Sequence, residues 1–336
     1  MTLKRYGISI VERTRRCIAA ATMLFIVLSL SAQQNPYFTQ HANNPLLINP
    51  AFAGGRNSLA VDIATRQQWV GVDGAPMTFM LNTHAPINET MMSVGASFYS
   101  DIAGPVMANH ASLAYSYLLK INHSHFLSLG INGGINSYRV KLSDIKLNDG
   151  SDPNFASDIE NEITPSFGAG LMLYSPLYYI GFSIPRILAS EIEYPDAAGR
   201  QFRYNQIYYM SAGANIGISD YHSAKLATLF RFEEGMEMVY DITALYNYDG
   251  MLTAGGSIRP GYAASLILGA QVNGNIGITY SYDFPLGSKS VNLFNFQELT
   301  LSIDIHSIIS PNLDREFSSP KAKSRDDGNT RSIRYF

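Results

Sequence analysis

Cysteine is nearly absent: of 336 residues only Cys17 is one, and it lies in the segment expected below to be removed as a leader. A mature chain without cysteine has neither a disulfide nor a thiolate metal site. Charge is scarce as well. Asp, Glu, Lys and Arg make up 15% of the chain, against roughly 25% in soluble proteins, so part of the outside must be solvated by something other than water. Long apolar runs are also missing beyond Leu30, where no stretch of 18 apolar residues occurs, and this excludes helical membrane spans. With helices excluded, the closed β-barrel is the structure that satisfies every backbone group inside lipid. Tryptophan is limited to Trp69, whereas there are 21 Tyr and 17 Phe.

The N-terminus has the layout of a secretory signal peptide. Lys4, Arg5, Arg13, Arg15 and Arg16 precede an apolar run from Cys17 to Leu30, followed by Ser31 and Ala32. A membrane anchor would need about 20 apolar residues, and this run is shorter, so cleavage is expected nearest Ala32. A lipoprotein is not expected, because Thr14, Arg15 and Arg16 stand where small and apolar residues should precede Cys17. Removing residues 1–32 leaves 19 basic and 26 acidic residues, a net charge of −7, which argues against nucleic acid as a partner. The remaining length suits either two soluble domains or one large barrel.

From Ser58 onward the pattern has period two, placing alternate side chains on opposite faces of a strand. Ile276, Ile278, Tyr280, Tyr282 and Phe284 alternate with Gly277, Thr279, Ser281 and Asp283; Leu299, Leu301, Ile303 and Ile305 alternate with Glu298, Thr300, Ser302, Asp304 and His306. One face suits lipid and the other a wet or hydrogen-bonded interior. Segments of this kind fall at 58–67, 77–86, 91–100, 109–121, 125–139, 166–174, 178–184, 206–218, 224–233, 237–247, 251–258, 263–272, 276–284 and 297–306. The expected fold is therefore an all-β, transmembrane antiparallel barrel of about 14 strands over 58–306, an even number as such barrels require. An irregular Asn-, Pro- and Gln-rich segment, 33–57, precedes it and could lie against or inside the barrel. A polar tail, 307–336, follows and is expected in the periplasm. A soluble sandwich shows the same alternation but needs fewer strands.

Bacterial barrels have short periplasmic turns and longer outer loops. Every second connection is tight here: 86–89, 122–123, 175–177, 219–223, 248–250 and 273–275, two of them carrying the Asp-Gly and Asn-Gly pairs that favour hairpin turns. The longest connections, 140–165 and 185–205, are then expected outside.

Chemistry-bearing patterns are sparse. Seven histidines are scattered, with only His123 and His125 close enough to suggest a metal pair; two polar residues at a turn explain them as well. Asp144, Asp149, Asp152, Asp158, Glu160 and Glu162 invite a calcium reading, but the EF-hand spacing is absent. There is no G-x-S-x-G elbow, phosphate loop or dinucleotide motif, and Glu233-Glu234, the one adjacent acidic pair in the barrel, reads as a hairpin tip. No enzyme, cofactor or metal site is expected. The inward face reads as mostly Gly, Ser, Thr, Ala and Asn, suggesting a filled lumen rather than the charged wall of a wide diffusion pore, the alternative function this pattern permits.

The distinctive words lie early. Asn49-Pro50-Ala51-Phe52-Ala53-Gly54 is followed by Arg66-Gln67-Gln68-Trp69-Val70-Gly71-Val72-Asp73-Gly74-Ala75-Pro76, a strand end running into a Gly- and Pro-punctuated loop around the single Trp. A Trp there also suits a membrane-interface girdle. Together with Asn44-Pro45-Leu46-Leu47, Phe167-Gly168-Ala169-Gly170-Leu171, Tyr179-Ile180-Gly181-Phe182-Ser183-Ile184-Pro185 and Ile278-Thr279-Tyr280-Ser281-Tyr282-Asp283, these words resemble the PorP/SprF family of the Bacteroidota type IX secretion system, from about Gln40 to Ile305.

The resemblance implies an integral outer-membrane protein that works with type IX components to secrete or display proteins carrying a C-terminal targeting domain, gliding adhesins among them. It also implies contact with a PorE-like periplasmic peptidoglycan-binding protein; the long polar tail departs from the pattern on that side. The partners expected are thus type IX components, a secreted surface protein and outer-membrane lipid. The residues it marks, Asn49, Pro50, Phe52, Gly54, Arg66, Gln68, Trp69, Gly71, Gly74 and Pro76, are recognition or folding candidates rather than catalytic ones.

Overall fold

The computed structural model describes residues 37–56, 58–141, 158–188, 190–193, 201–286 and 295–306. The expected leader, most of the acidic 144–162 stretch and the polar tail lie outside these residues. Sixteen strands occur among those described. They are β1 (Leu59–Gln68), β2 (Met77–Pro86), β3 (Met92–Ala103), β4 (Val106–Asn122), β5 (His125–Val140), β6 (Ile159–Tyr174), β7 (Tyr178–Arg186), β8 (Ser190–Glu193) and β9 (Gln201–Tyr204). They continue with β10 (Ile207–Gly217), β11 (His222–Glu233), β12 (Val239–Tyr248), β13 (Leu252–Arg259), β14 (Ala263–Asn273), β15 (Ile276–Pro285) and β16 (Phe296–Ile305).

Fourteen of these pair antiparallel with their neighbours and close into one barrel, β1 meeting β16 in register from Leu59↔Ile305 to Gln68↔Phe296. β8 and β9 form a separate hairpin, inserted in the connection between β7 and β10. Closure leaves no open edge in the lipid. The alternation decides the faces. Leu129, Ile131, Ile135, Ile278, Phe284 and Leu299 are exposed, while Ser128, Asn136, Ser281, Asp283, Glu298 and Asp304 are buried. A solvent-exposed apolar belt beside a buried polar set inverts the arrangement of a water-soluble protein and matches a barrel set in a bilayer.

The six tight connections expected from the sequence all lie at one end of the barrel, hereafter the turn end. Three of the residues that make those turns take positive φ, Glu89 at 59°, Asp249 at 50° and Gly250 at 64°. The opposite, loop end holds the connection 69–76, the β8–β9 hairpin and the segments flanking 142–157 and 287–294. The alternation places the barrel strands well but misses the start of β6 and the whole of β8 and β9. β6 starts at Ile159 rather than 166, and β8–β9 falls in a stretch read as loop. Both extensions lie at the loop end, where no lipid imposes an apolar outward face.

Candidate functional site: the lumen and its loop-side mouth

Residues 37–56 run through the barrel from the loop end to the turn end. At the start, the Tyr37 ring lies under two guanidinium groups, Arg231 at 4.2 Å and Arg259 at 4.9 Å from its centroid. Each cation is also held by a carboxylate, Arg231 by Glu233 at 2.6 Å and Arg259 by Asp241 at 2.9 Å. One step further in, the Thr39 hydroxyl donates to Asp283 (2.7 Å) and its backbone N–H to Glu298 (2.9 Å). Arg66 joins the same cluster, at 3.1 Å from Asp283 and 3.2 Å from Glu298. Gln40 donates through Nε2 to Ser281 Oγ and the Glu298 carbonyl, and Lys225 donates to the Ala42 carbonyl at 2.8 Å.

The Asn49-Pro50-Ala51-Phe52-Ala53-Gly54 motif sits deeper, on the wall made by β4 to β7. Pro50–Phe52 is a single 3-10 turn with Pro at its first position, and the Asn49 carboxamide oxygen caps it by accepting from Ala51 N at 2.9 Å. Asn thereby serves the role it serves at helix starts generally. Its Nδ2 donates outward to the carbonyls of Leu171 (3.1 Å) and Phe182 (3.4 Å), tying the turn to β6 and β7. Hydroxyls of Ser183, Ser128 and Ser116 donate to the carbonyls of Ile48, Ala51 and Ala53, at 2.7, 2.7 and 2.8 Å. The plug backbone is thus satisfied by side chains of the wall, as burial demands.

Close approach is possible because the wall is glycine where the turn lands. A Cβ on Gly130 would stand 2.2 Å from Ala51 N, and one on Gly170 would stand 2.1 Å from Asn49 Oδ1. Phe52, 1% exposed, fills the space between these strands with Leu46, Phe126, Met172, Tyr174 and Tyr179, and stands edge-on to His84 at 5.5 Å. Burying such a ring stabilises the seat by about 1.5–3 kcal/mol. Gly54, at φ 71°, turns the chain and donates its N–H to His84 Nδ1 at 3.1 Å. At the turn end Arg56 binds Asp62 (2.6 Å) and Asp304 (3.2 Å), across the seam where β1 meets β16.

The ten residues singled out by sequence therefore separate into three places. Asn49, Pro50, Phe52 and Gly54 form the plug. Arg66, at the strand end that opens the second word, belongs to the lumen: even positions on β1 point inward, and it is 3% exposed. Gln68, Trp69, Gly71, Gly74 and Pro76 form the loop-side connection, folded by bonds from Gln68 N to Pro76 O and from Val72 N to Trp69 O. Trp69 takes a φ of 52°, and Gly71 and Gly74 take 92° and 73°, so the Gly residues serve the turn geometry. Trp69 is half-buried, and its backbone N–H donates to the Asn295 carbonyl beside β16.

The inward face differs from the sequence reading. It carries Asp62, Arg66, Lys225, Arg231, Glu233, Asp241, Arg259, Asp283, Glu298 and Asp304, all buried, yet the lumen is filled because most of these pair with one another or with the plug. Thr39, Gln40 and Arg56 carry no signal in the sequence, each being ordinary in an irregular segment; for their acidic partners the signal is the placement of charges on one parity of consecutive strands. Glu233 is such a case, buried against Arg231 rather than a solvated tip. His125 engages Asn122 and Tyr178 through its two ring nitrogens, and no metal-binding group of His, Cys, Asp and Glu is found among the described residues.

A closed 14-strand barrel with an apolar outer belt and a polar, self-plugged lumen defines an integral outer-membrane protein. Residues 30–303 match the family model described as type IX secretion system membrane protein PorP/SprF. The chain belongs to that family and is a membrane component of the type IX secretion system. No curated protein sequence matches it. Among solved structures it is similar to the Ralstonia pickettii toluene transporter TbuX, at 10% identity and a TM-score of 0.47, over 78% of this chain and 93% of that one. It is also similar to a Pseudomonas aeruginosa FadL homologue, at 13% identity and a TM-score of 0.46, over 82% and 96% respectively.

Proposed function

We propose that the protein is an accessory barrel that anchors a secreted protein with a C-terminal targeting domain at the cell surface, a gliding adhesin being one such client. In this reading it is tethered from below by a PorE-like peptidoglycan-binding protein. The observation that carries the proposal is the plug: its wall contacts run from Tyr37 at the loop end to Arg56 at the turn end, an arrangement suited to a scaffold rather than to a diffusion pore. Binding is the chemistry, and the loop from Gln68 to Pro76 with Trp69 is the proposed recognition edge. Affinity purification of the tagged full chain from detergent-extracted native envelopes, followed by mass spectrometry, tests it. Recovery of type IX components with a large surface protein is the expected result. Recovery of the barrel alone, with large steady conductance in planar bilayers, would overturn it in favour of a porin.

A further inference from the structure

The outside of the barrel carries a second feature at the loop end of β2 to β5. In register across these strands, Met77, Ile102, Met107 and Arg139 lie side by side, and the exposure of Met77 and Ile102 marks this as the outward face. One outward row nearer the turn end stand Phe79, Ser100, Asn109 and Ser137, and one row further Leu81, Phe98, Ala111 and Ile135. The surface therefore passes from an apolar row, through one that holds three polar residues, to a row of three apolar residues ending in Arg139. Polar and basic side chains appearing among outward apolar ones suit the level where hydrocarbon gives way to headgroups.

A cleft of 480 Å³ opens at that boundary, lined by Gly74, Ile102, Gly104, Met107, Arg139 and Lys141 among others. Its floor is fixed by backbone bonds from Gly104 N to Gly74 O and from Lys141 N to Pro105 O, both 3.0 Å. A Cβ on Gly104 would meet nothing within 4 Å, so the space above the β3–β4 turn is open to a ligand. Arg139 stands on the outward face of β5 and Lys141 directly follows the end of that strand, and both line the cleft. Among the described residues Arg139 enters no salt bridge.

We propose that this cleft binds the phosphorylated headgroup of an outer-leaflet glycolipid, whose acyl chains lie along Ile102, Phe98 and Ile135. A guanidinium grips phosphate through two parallel N–H bonds, and a neighbouring ammonium adds a point charge. The apolar wall below supplies what a soluble anion would not use. The site lies outside the lumen and stands whether or not the anchoring role does.

The test uses the full chain, purified in detergent, and lipopolysaccharide with phosphorylated lipid A as the probe. The double variant R139Q/K141Q is expected to bind about thirtyfold more weakly, a factor of about five for each cation, with unchanged heat-modified gel mobility showing an intact barrel. The charge-retaining variant R139K/K141R should keep most of the affinity. Dephosphorylated lipopolysaccharide should bind the wild type as weakly as phosphorylated lipopolysaccharide binds the double variant. Equal binding by wild type and R139Q/K141Q would overturn the proposal. Complete competition by millimolar inorganic phosphate would also overturn it, since the site would then be one for a free anion.

Discussion

Replacing Gly130 with Ala asks whether the plug is held by fit or merely happens to lie in the lumen. The new Cβ would fall 2.2 Å from Ala51 N and 2.4 Å from the Pro50 carbonyl carbon, and ordinary contact at about 3.5 Å requires a retreat of about 1 Å. Neither neighbour is a flexible side-chain end. Such a retreat stretches the bond that Ser128 donates to the Ala51 carbonyl, now 2.7 Å, and draws Asn49 off the Leu171 carbonyl of β6. Two buried hydrogen bonds at about 1 kcal/mol each, with overpacking of about 1 kcal/mol or more, give a loss of about 3 kcal/mol. The undocked population should then rise by about two orders of magnitude. The assay is thiol labelling of an Ala53→Cys reporter, buried in the native barrel, with planar-bilayer recording alongside. G130A should label about a hundredfold faster and show brief openings. The control is G133A, whose Cβ points outward and meets Phe167 at 3.7 Å; it should behave as wild type. If G130A folds and labels no faster than its parent, the reasoning from steric seating is wrong.

Arg66→Met strips the shared cation from Asp283 and Glu298 and leaves two buried carboxylates facing each other; a loss of about 3–5 kcal/mol should appear as a lower midpoint for heat-modified gel mobility. Arg66→Lys should recover only part, since one ammonium cannot fork to two carboxylates. Trp69→Ala should weaken client capture by about thirtyfold if the residue anchors an interface while the barrel still assembles. Loss of assembly would make Trp69 structural.

The strands were legible because lipid outside and polar lumen inside impose opposite chemistry on alternate residues, as at Leu299 and Glu298. β8, β9 and the start of β6 were not, because at the loop end neither face is constrained. The Asn49-to-Gly54 word stood out as a word, but its meaning depended on Gly130 and Gly170, distant in sequence, and nothing in the sequence pairs them with it. Arg66 fell within the strand expected at 58–67, and parity on β1 assigns it to the lumen; its two carboxylate partners lie over 200 residues away and could not be read from that strand alone.

The seam between the first and last barrel strands has a consequence for how the molecule is made. Asp62 on β1 and Asp304 on β16 meet there, and the cation between them, Arg56, comes from the plug. A cylinder that shut with its N-terminal segment left outside would bring these carboxylates together with no counter-charge. Correct threading and stable closure are thus coupled, and the seam acts as a proofreading step: the product that lacks its plug is also the one most easily reopened.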